Sequence, residues 1–413
     1  MESEANRTSN QSTPGPTPIP VNPDAKVKIK IRSDTQGLKR SIRWGVISFF
    51  FTQGLCFASW ASRIPDIKTT LGLSDGALGS VLFALPVGSM AGLPFSGWLV
   101  TRLGSRSVII AGSLLYVITL IGIGFTENTW QLVGALFVFG FMGNLVNIGI
   151  NTQALGVENL YKKSIMASFH GAWSAAGFMG AAIGTLVVSL RLSPSFHFIC
   201  IACICFLIIS IAHRYTLRAR ISSTDHPLFA IPDNPLLRLG VIGFCGMACE
   251  GAMFDWSGVY FQKVVEAPLE LTTLGYAVFM CSMATGRFTG DWLVNKVGRK
   301  RMIQLSGVLV CSGLLISVIL PQIVPVTIGF LLVGFGISSV IPLVYSAAGK
   351  SQTFSTGMAL AAVSTISFFG FLIGPPLIGF IAEAASLRYS FAVIAVLGLC
   401  VTLFASRARL ISE

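Results

Sequence analysis

The 413-residue chain is short of charge: 11% of its residues are Asp, Glu, Lys or Arg, against roughly 25% in soluble domains. That shortage excludes an ordinary water-soluble globule. With 53% hydrophobic residues and a mean hydropathy of +0.75, the chain reads as one that folds in a membrane. Acidic residues are the scarcest, 17 against 29 basic, giving a formal net charge of +12. The basic residues form no single face or stripe, so no nucleic-acid partner is expected. The polar stretch 1–40 lacks an apolar core, so no cleavable signal peptide is expected there. No Gly-rich phosphate loop, nucleophile–base pair or metal constellation stands at readable spacing. Neither an enzyme, nor drive by ATP, nor a cofactor is therefore expected. The nine cysteines lie inside apolar runs, as buried thiols and not a disulfide framework. Even Cys200, Cys203 and Cys205 lack an acidic or second His partner for a metal.

What the chain does have is apolar runs. Twelve spans are expected, near 43–63, 75–100, 107–125, 131–156, 165–188, 196–212, 238–261, 273–295, 302–320, 324–348, 357–381 and 389–406. Each is about long enough to cross a hydrocarbon core of roughly 30 Å. The longest interruption divides six from six. The expected organisation is a disordered basic tail (1–40), a six-helix half (41–212), a central loop (213–237), a second half (238–406) and a short tail (407–413). With the N-terminus inside, Arg102, Arg106, Lys162, Lys163, Arg214, Arg218, Arg220, Arg238, Lys296, Arg299, Lys300, Arg301 and Lys350 all fall on the cytoplasmic side. The opposite loops hold only Arg63, Lys68, Arg191, Lys263 and Arg388. The positive-inside rule then places both termini in the cytoplasm, and most of the positive charge is explained by topology.

An internal repeat follows. "SMAGLPFSGWLVTRLGSR" (89–106) matches "SMATGRFTGDWLVNKVGRK" (282–300) with one inserted residue, and "GFMGNLVNIGIN" (140–151) falls on "GFGISSVIPLVY" (334–345). Both copies begin on the same side, so the halves are parallel repeats of six spans, a transporter architecture with a site at the midplane between them. Here the chain resembles the major facilitator superfamily. Its characteristic loop after the second span is matched by Gly97, Leu99, Arg102, Gly104 and Arg106, with Thr101 at the acidic position and Ser105 in place of one arginine. The second copy supplies Leu293, Lys296, Gly298, Arg299 and Lys300, with Asn295 at the acidic position and Asp291 upstream. The stretches "FASWASRIPDIKTTLGLSDGALG", "FHGAWSAAG" and "EGAMFDWSGVY" are similar to the bacterial rhizopine-associated, MosC-like subgroup. The resemblance implies an all-α fold of twelve transmembrane helices and, weakly, an inositol-amine or sugar-like solute. It also implies that Arg102, Arg106, Arg287, Asp291, Lys296, Arg299 and Lys300 form a gating latch, with Arg287 and Asp291 four apart and placed to pair.

Candidate solute and proton residues come from polarity inside the spans. An Asp at a helix centre costs about 2.5–3.5 kcal/mol, and each Leu, Ile, Phe or Val returns about 0.3–0.6 kcal/mol. The apolar residues of the seventh span therefore do not offset both Glu250 and Asp255, and at least one must face the bundle or a cavity. Five residues apart, they sit about 140° apart around a helix and do not share one proton. Glu250, near the middle of its span, is the expected proton-coupling carboxylate, and Asp255, about one and a half turns outward where water is nearer, is a second candidate for solute or proton or else a structural acid. Asn144, Asn147 and Asn151 share a face of the fourth span, as solute ligands or as interhelical glue. Their repeat partners are Ser338, Ile341 and Tyr345. His170 is placed to relay a proton or bind solute, with Trp173 as a stacking face, or else to bond a neighbouring helix. Arg63 closes the first span, as a snorkelling residue or an outer-gate contact.

The expectation is a monomeric secondary transporter of the bacterial inner membrane. It would move a small polar organic solute of polyol, sugar or amine type by alternating access, coupled to protons through Glu250. The alternatives are a proton-driven exporter of hydrophobic or cationic compounds and a non-transporting membrane sensor. Its partners are the solute, protons and membrane lipid.

Overall fold

The computed structural model describes residues 35–161, 165–218, 233–351, 353–354 and 356–408. The basic tail before residue 35, Lys162 and Lys163, and residues 219–232 of the central loop lie outside them. Every described element is helical. The first half runs α1 (Thr35–Ser62), short α2 (Ile64–Thr70), then a second span in two pieces, α3 (Asp75–Leu82) and α4 (Ala84–Leu103). It continues through α5 (Ser105–Ile123), α6 (Thr129–Tyr161), α7 (Met166–Ser189) and α8 (Pro194–Ala212). The second half runs α9 (Asn234–Lys263), α10 (Leu274–Val297) and α11 (Arg299–Ile319). A tenth span in two pieces follows, α12 (Ile323–Ile337) and α13 (Val340–Ala348), before α14 (Thr356–Ala384) and α15 (Leu387–Arg407). Among the described residues, ten spans are long and apolar enough to cross a membrane. The two remaining long helices, α1 with 28 residues and α10 with 24, are more polar and complete the expected twelve. Helix α1 begins at Thr35, inside the stretch expected to belong to the tail.

Local chemistry sets the ends. Ser193 and Asp233 cap α8 and α9, each side chain accepting from a backbone N–H three residues on, with Pro194 and Pro235 in the first turns where a missing donor costs nothing. The repeat seen in sequence recurs in three dimensions. Helices α4 and α10 end at Gly104 and Gly298, whose φ of 83° and 85° is the left-handed region that glycine enters without a Cβ clash. Just before each end, Arg102 lies 5.2 Å over the Trp98 ring and Lys296 lies 4.0 Å over Trp292. Packing repeats as well: α4 rests on α6 as α10 does on α12, and α5 contacts α8 as α11 does α15.

Two seams join the halves. Helix α3, with the start of α4, lies against α14, and α10 lies against α7, so each half offers the same repeat element to its partner. Large apolar side chains such as Trp130, Leu186 and Ile319 stay exposed on the outside. That is expected where the surroundings are lipid. Helix α9 is the opposite case: every residue from Ala248 to Phe261 is buried, which places its two carboxylates inside protein.

Candidate functional site

Glu250 is 7% exposed, and its Oε1 accepts from Nη2 of Arg287 at 3.1 Å. The other terminal nitrogen of Arg287, Nη1, donates to the Ser174 hydroxyl at 2.6 Å. The guanidinium also lies 5.7 Å from the centre of the Trp173 ring. A guanidinium suits this post because its planar fork satisfies two acceptors and a ring face at once. The result is a chain of contacts from α9 through α10 in one half to α7 in the other. Where water is scarce, such a charge-assisted link is strong, and leaving either ion alone is costly.

Asp255, also 7% exposed, differs: among the described residues its side chain has no hydrogen bond and no ion pair. Its neighbour in the chain, Phe254, is a hub of rings. Centroid distances are 5.2 Å to Phe57 of α1, 6.3 Å to Trp173 of α7, 6.3 Å to Tyr276 and 5.7 Å to Phe279 of α10, and 6.3 Å to Phe371 of α14. Edge-to-face contacts of this kind give a stiff, apolar wall. That wall draws from both halves.

The other expected residues are distributed as follows. Asn144 accepts from Ser96 of α4 at 2.7 Å, and Asn151 donates to the Asn147 carbonyl one turn back at 2.8 Å, with the Asn147 side chain exposed. His170 is exposed and stands edge-on to Phe50 at 5.3 Å. Tyr345 is half-buried on α13, within electrostatic range of Glu250. Arg63 lies at the far end of the first half, 2% exposed, donating to the Leu192 carbonyl at 2.6 Å and pairing with Asp66 at 2.9 Å. Burial lifts the Asp66 carboxyl above its ordinary value, and the charge of Arg63 partly offsets this. Among the described residues, Arg102, Arg106, Lys296, Arg299 and Lys300 make no ion pair. The side chain of Asp291 lies outside the described residues. Glu250, Arg287 and Trp173 thus come together; Arg63 does not join them.

A second cluster has no signal in the spacing. At the end where α2 turns into α3, Asp75 is 5% exposed as a side chain and takes Lys263 of α9 at 2.6 Å. Lys68 stands 3.1 Å from its other oxygen, an ion pair whose angles fall short of a hydrogen bond. Glu383 of α14 accepts from the Gly76 N–H at 3.1 Å, and Gln262 donates to Thr69 at 3.1 Å. All but the Lys68 contact cross between the halves, so this end is clasped. In sequence, Lys68 and Lys263 bear only on topology.

The model of the Major Facilitator Superfamily matches residues 45–353. The chain belongs to that superfamily. It is 32% identical to an uncharacterised superfamily-type transporter of Yersinia pestis over 88% of this chain and 94% of the relative. It is 28% identical to the membrane protein MosC of Rhizobium meliloti, covering 87% and 89%. Among solved structures, a mutant form of the nucleoside transporter NupG superposes with a TM-score of 0.74 at 13% identity, covering 89% of this chain and all of that one. A bacterial homologue of the human lysosomal transporter Spinster gives 0.71 at 12% identity, covering 91% and 98%. This member of the superfamily is accordingly a multi-pass secondary transporter and not an enzyme. Transporters built from such repeats hold their small-molecule site where the halves meet.

Proposed function

We propose that the protein carries a small polar organic solute of polyol, sugar or amine type across the bacterial inner membrane, coupled to protons through Glu250. It works as a monomer with both termini in the cytoplasm, and 41–212 and 238–406 move as the two units of alternating access. The observation that carries this is the shared guanidinium: Arg287 holds Glu250 within its own half and Ser174 in the other. A proton on Glu250 removes the negative charge that anchors Arg287, which alters the tie between halves at the depth of the site. Binding a proton and releasing the halves then become one event. The clasp around Asp75 shuts the opposite end, so in this conformation the site is reached from the end where α4 and α10 finish.

The test is flux in proteoliposomes with a pH dye inside, across a panel of polyols, sugars and amines. Solute-driven proton movement in the wild type, with solute exchange retained but proton movement lost in Glu250→Gln, is the expected result. Equal proton movement in both would overturn coupling through Glu250. Saturable binding with no flux of any solute would make the protein a sensor.

A further inference from the structure

Building on the transporter reading above, we infer that the solute is an organic ammonium ion and that Asp255 is the group that meets its charge. The two buried carboxylates of α9 are not equivalent. Glu250 already has its cation, and the cations on the surrounding elements are committed elsewhere. Arg287 serves Glu250 and Ser174, Lys68 and Lys263 serve Asp75, Arg63 serves Asp66, and Arg388 donates to the Val318 carbonyl at 2.6 Å. Among the described residues, the centre between the halves therefore holds one carboxylate more than it holds cations. A buried ionised carboxylate without a partner is costly. The missing charge must arrive with a proton or with the solute.

The surroundings favour a cation with an organic body. Asp255 shares a helical face with Gly251 and Gly258; the Phe371 ring closes on the first and Pro65 of α2 on the second. The carboxylate thus lies where α14 of one half approaches α2 of the other. Beside it, Phe254 gathers rings from α1, α7, α10 and α14. Tyr276, 1% exposed, lies within the field of Asp255, and its hydroxyl has no partner among the described residues. Aromatic faces attract ammonium groups, most strongly where water is excluded. An unpaired carboxylate, an unpaired phenol and a wall of rings together match an alkyl- or arylammonium with a further polar group. They match a neutral polyol poorly, because it brings no charge to the unpaired Asp255 carboxylate.

The experiment uses purified full-length protein in lipid nanodiscs and matched pairs of probes. These are choline with 3,3-dimethylbutan-1-ol, benzylamine with benzyl alcohol, and glucosamine with glucose. Thermal stabilisation and calorimetry are recorded for wild type, Asp255→Asn and Asp255→Glu. At least one ammonium member is expected to outbind its neutral twin by about 30-fold, the scale for leaving a buried charge unmatched. The preference should vanish in Asp255→Asn and return in part in Asp255→Glu. If twins bind alike, if Asp255→Asn keeps the preference, or if no ammonium member binds, the inference fails. Proton flux with the same probes separates it from the reading it rests on. Neutral twins carried with protons in Asp255→Asn as in wild type would leave transport standing and sink the cation site. Ammonium binding through Asp255 with no flux would do the reverse.

Discussion

The two seams between the halves are repeats of one another, yet they are held differently. Along α10 and α7 contact persists over most of the length. Thr273 donates to Thr185 at 2.9 Å near one end, Met280 fills the space at Gly177, Arg287 reaches Ser174, and Phe288 covers Gly171. Along α3 and α14 the approach is closer but confined to one end, where Gly79 meets the backbone of Pro375 and Gly379 and charges surround Asp75. Past the start of α4 the pair separates, and Gly97 faces open space. The repeat position of Arg287 in α4 is Leu93. One seam therefore carries the charge that ties it to the centre, and the other is a clasp that must release.

The largest effect is expected from breaking the charged seam on one side only. Arg287→Ala leaves Glu250 buried with no cation, and breaking such pairs costs about 3–5 kcal/mol. A large fall in unfolding temperature follows, with loss of transport. Glu250→Gln/Arg287→Gln removes both charges and should recover most of the stability while coupled proton movement stays absent. Calorimetric melting of the three proteins decides it. Equal destabilisation of the single and double variants would mean that the pair is not the link.

Next comes the close seam. A Cβ at Gly79 would lie 2.8 Å from the Pro375 carbonyl oxygen and 3.0 Å from the Gly379 Cα. Gly79→Leu therefore pushes α3 off α14, at about the 1–3 kcal/mol typical of overpacking. Amide hydrogen exchange through 75–82 should accelerate while exchange in α7 and α10 holds steady. Equal acceleration along both seams would show that they do not move separately.

The same two seams mark how far the fold and the site are legible in sequence. Apolar runs, the repeat around Trp98 and Trp292, and glycine at 104 and 298 are local patterns, and the architecture follows from them. Glu250 and Asp255 stand out because charge inside a span is rare. Their difference does not, because it depends on which helix brings a cation alongside. Arg287 has a candidate partner four residues away in Asp291, and spacing along one helix says nothing about a carboxylate on the next. Ser174 is one hydroxyl among many. Asp75 and Glu383 sit at span ends, where charge is ordinary, so only packing reveals that they face the other half.

The clasp itself sets the finer contrast. Asp75→Asn takes the carboxylate from Lys263 and Lys68; Lys263 is half in solvent but the Lys68 side chain is 11% exposed, so the loss should be about 2 kcal/mol, within the range for hydrogen bonds to charged groups and below that of Arg287→Ala. It should appear as faster exchange at the start of α3 and the last turn of α9, and should weaken as salt is raised in the wild type. Glu383→Gln is the smallest change, since Glu383 is exposed and its amide replacement can still accept from the Gly76 N–H. No resolved shift in melting is expected, and exchange near Gly76 should change less than in Asp75→Asn. If Glu383→Gln proved the more disruptive of the two, the clasp would be centred on α14 and not on Asp75. Release would then begin where α14 meets the first turn of α3, before Lys263 lets go.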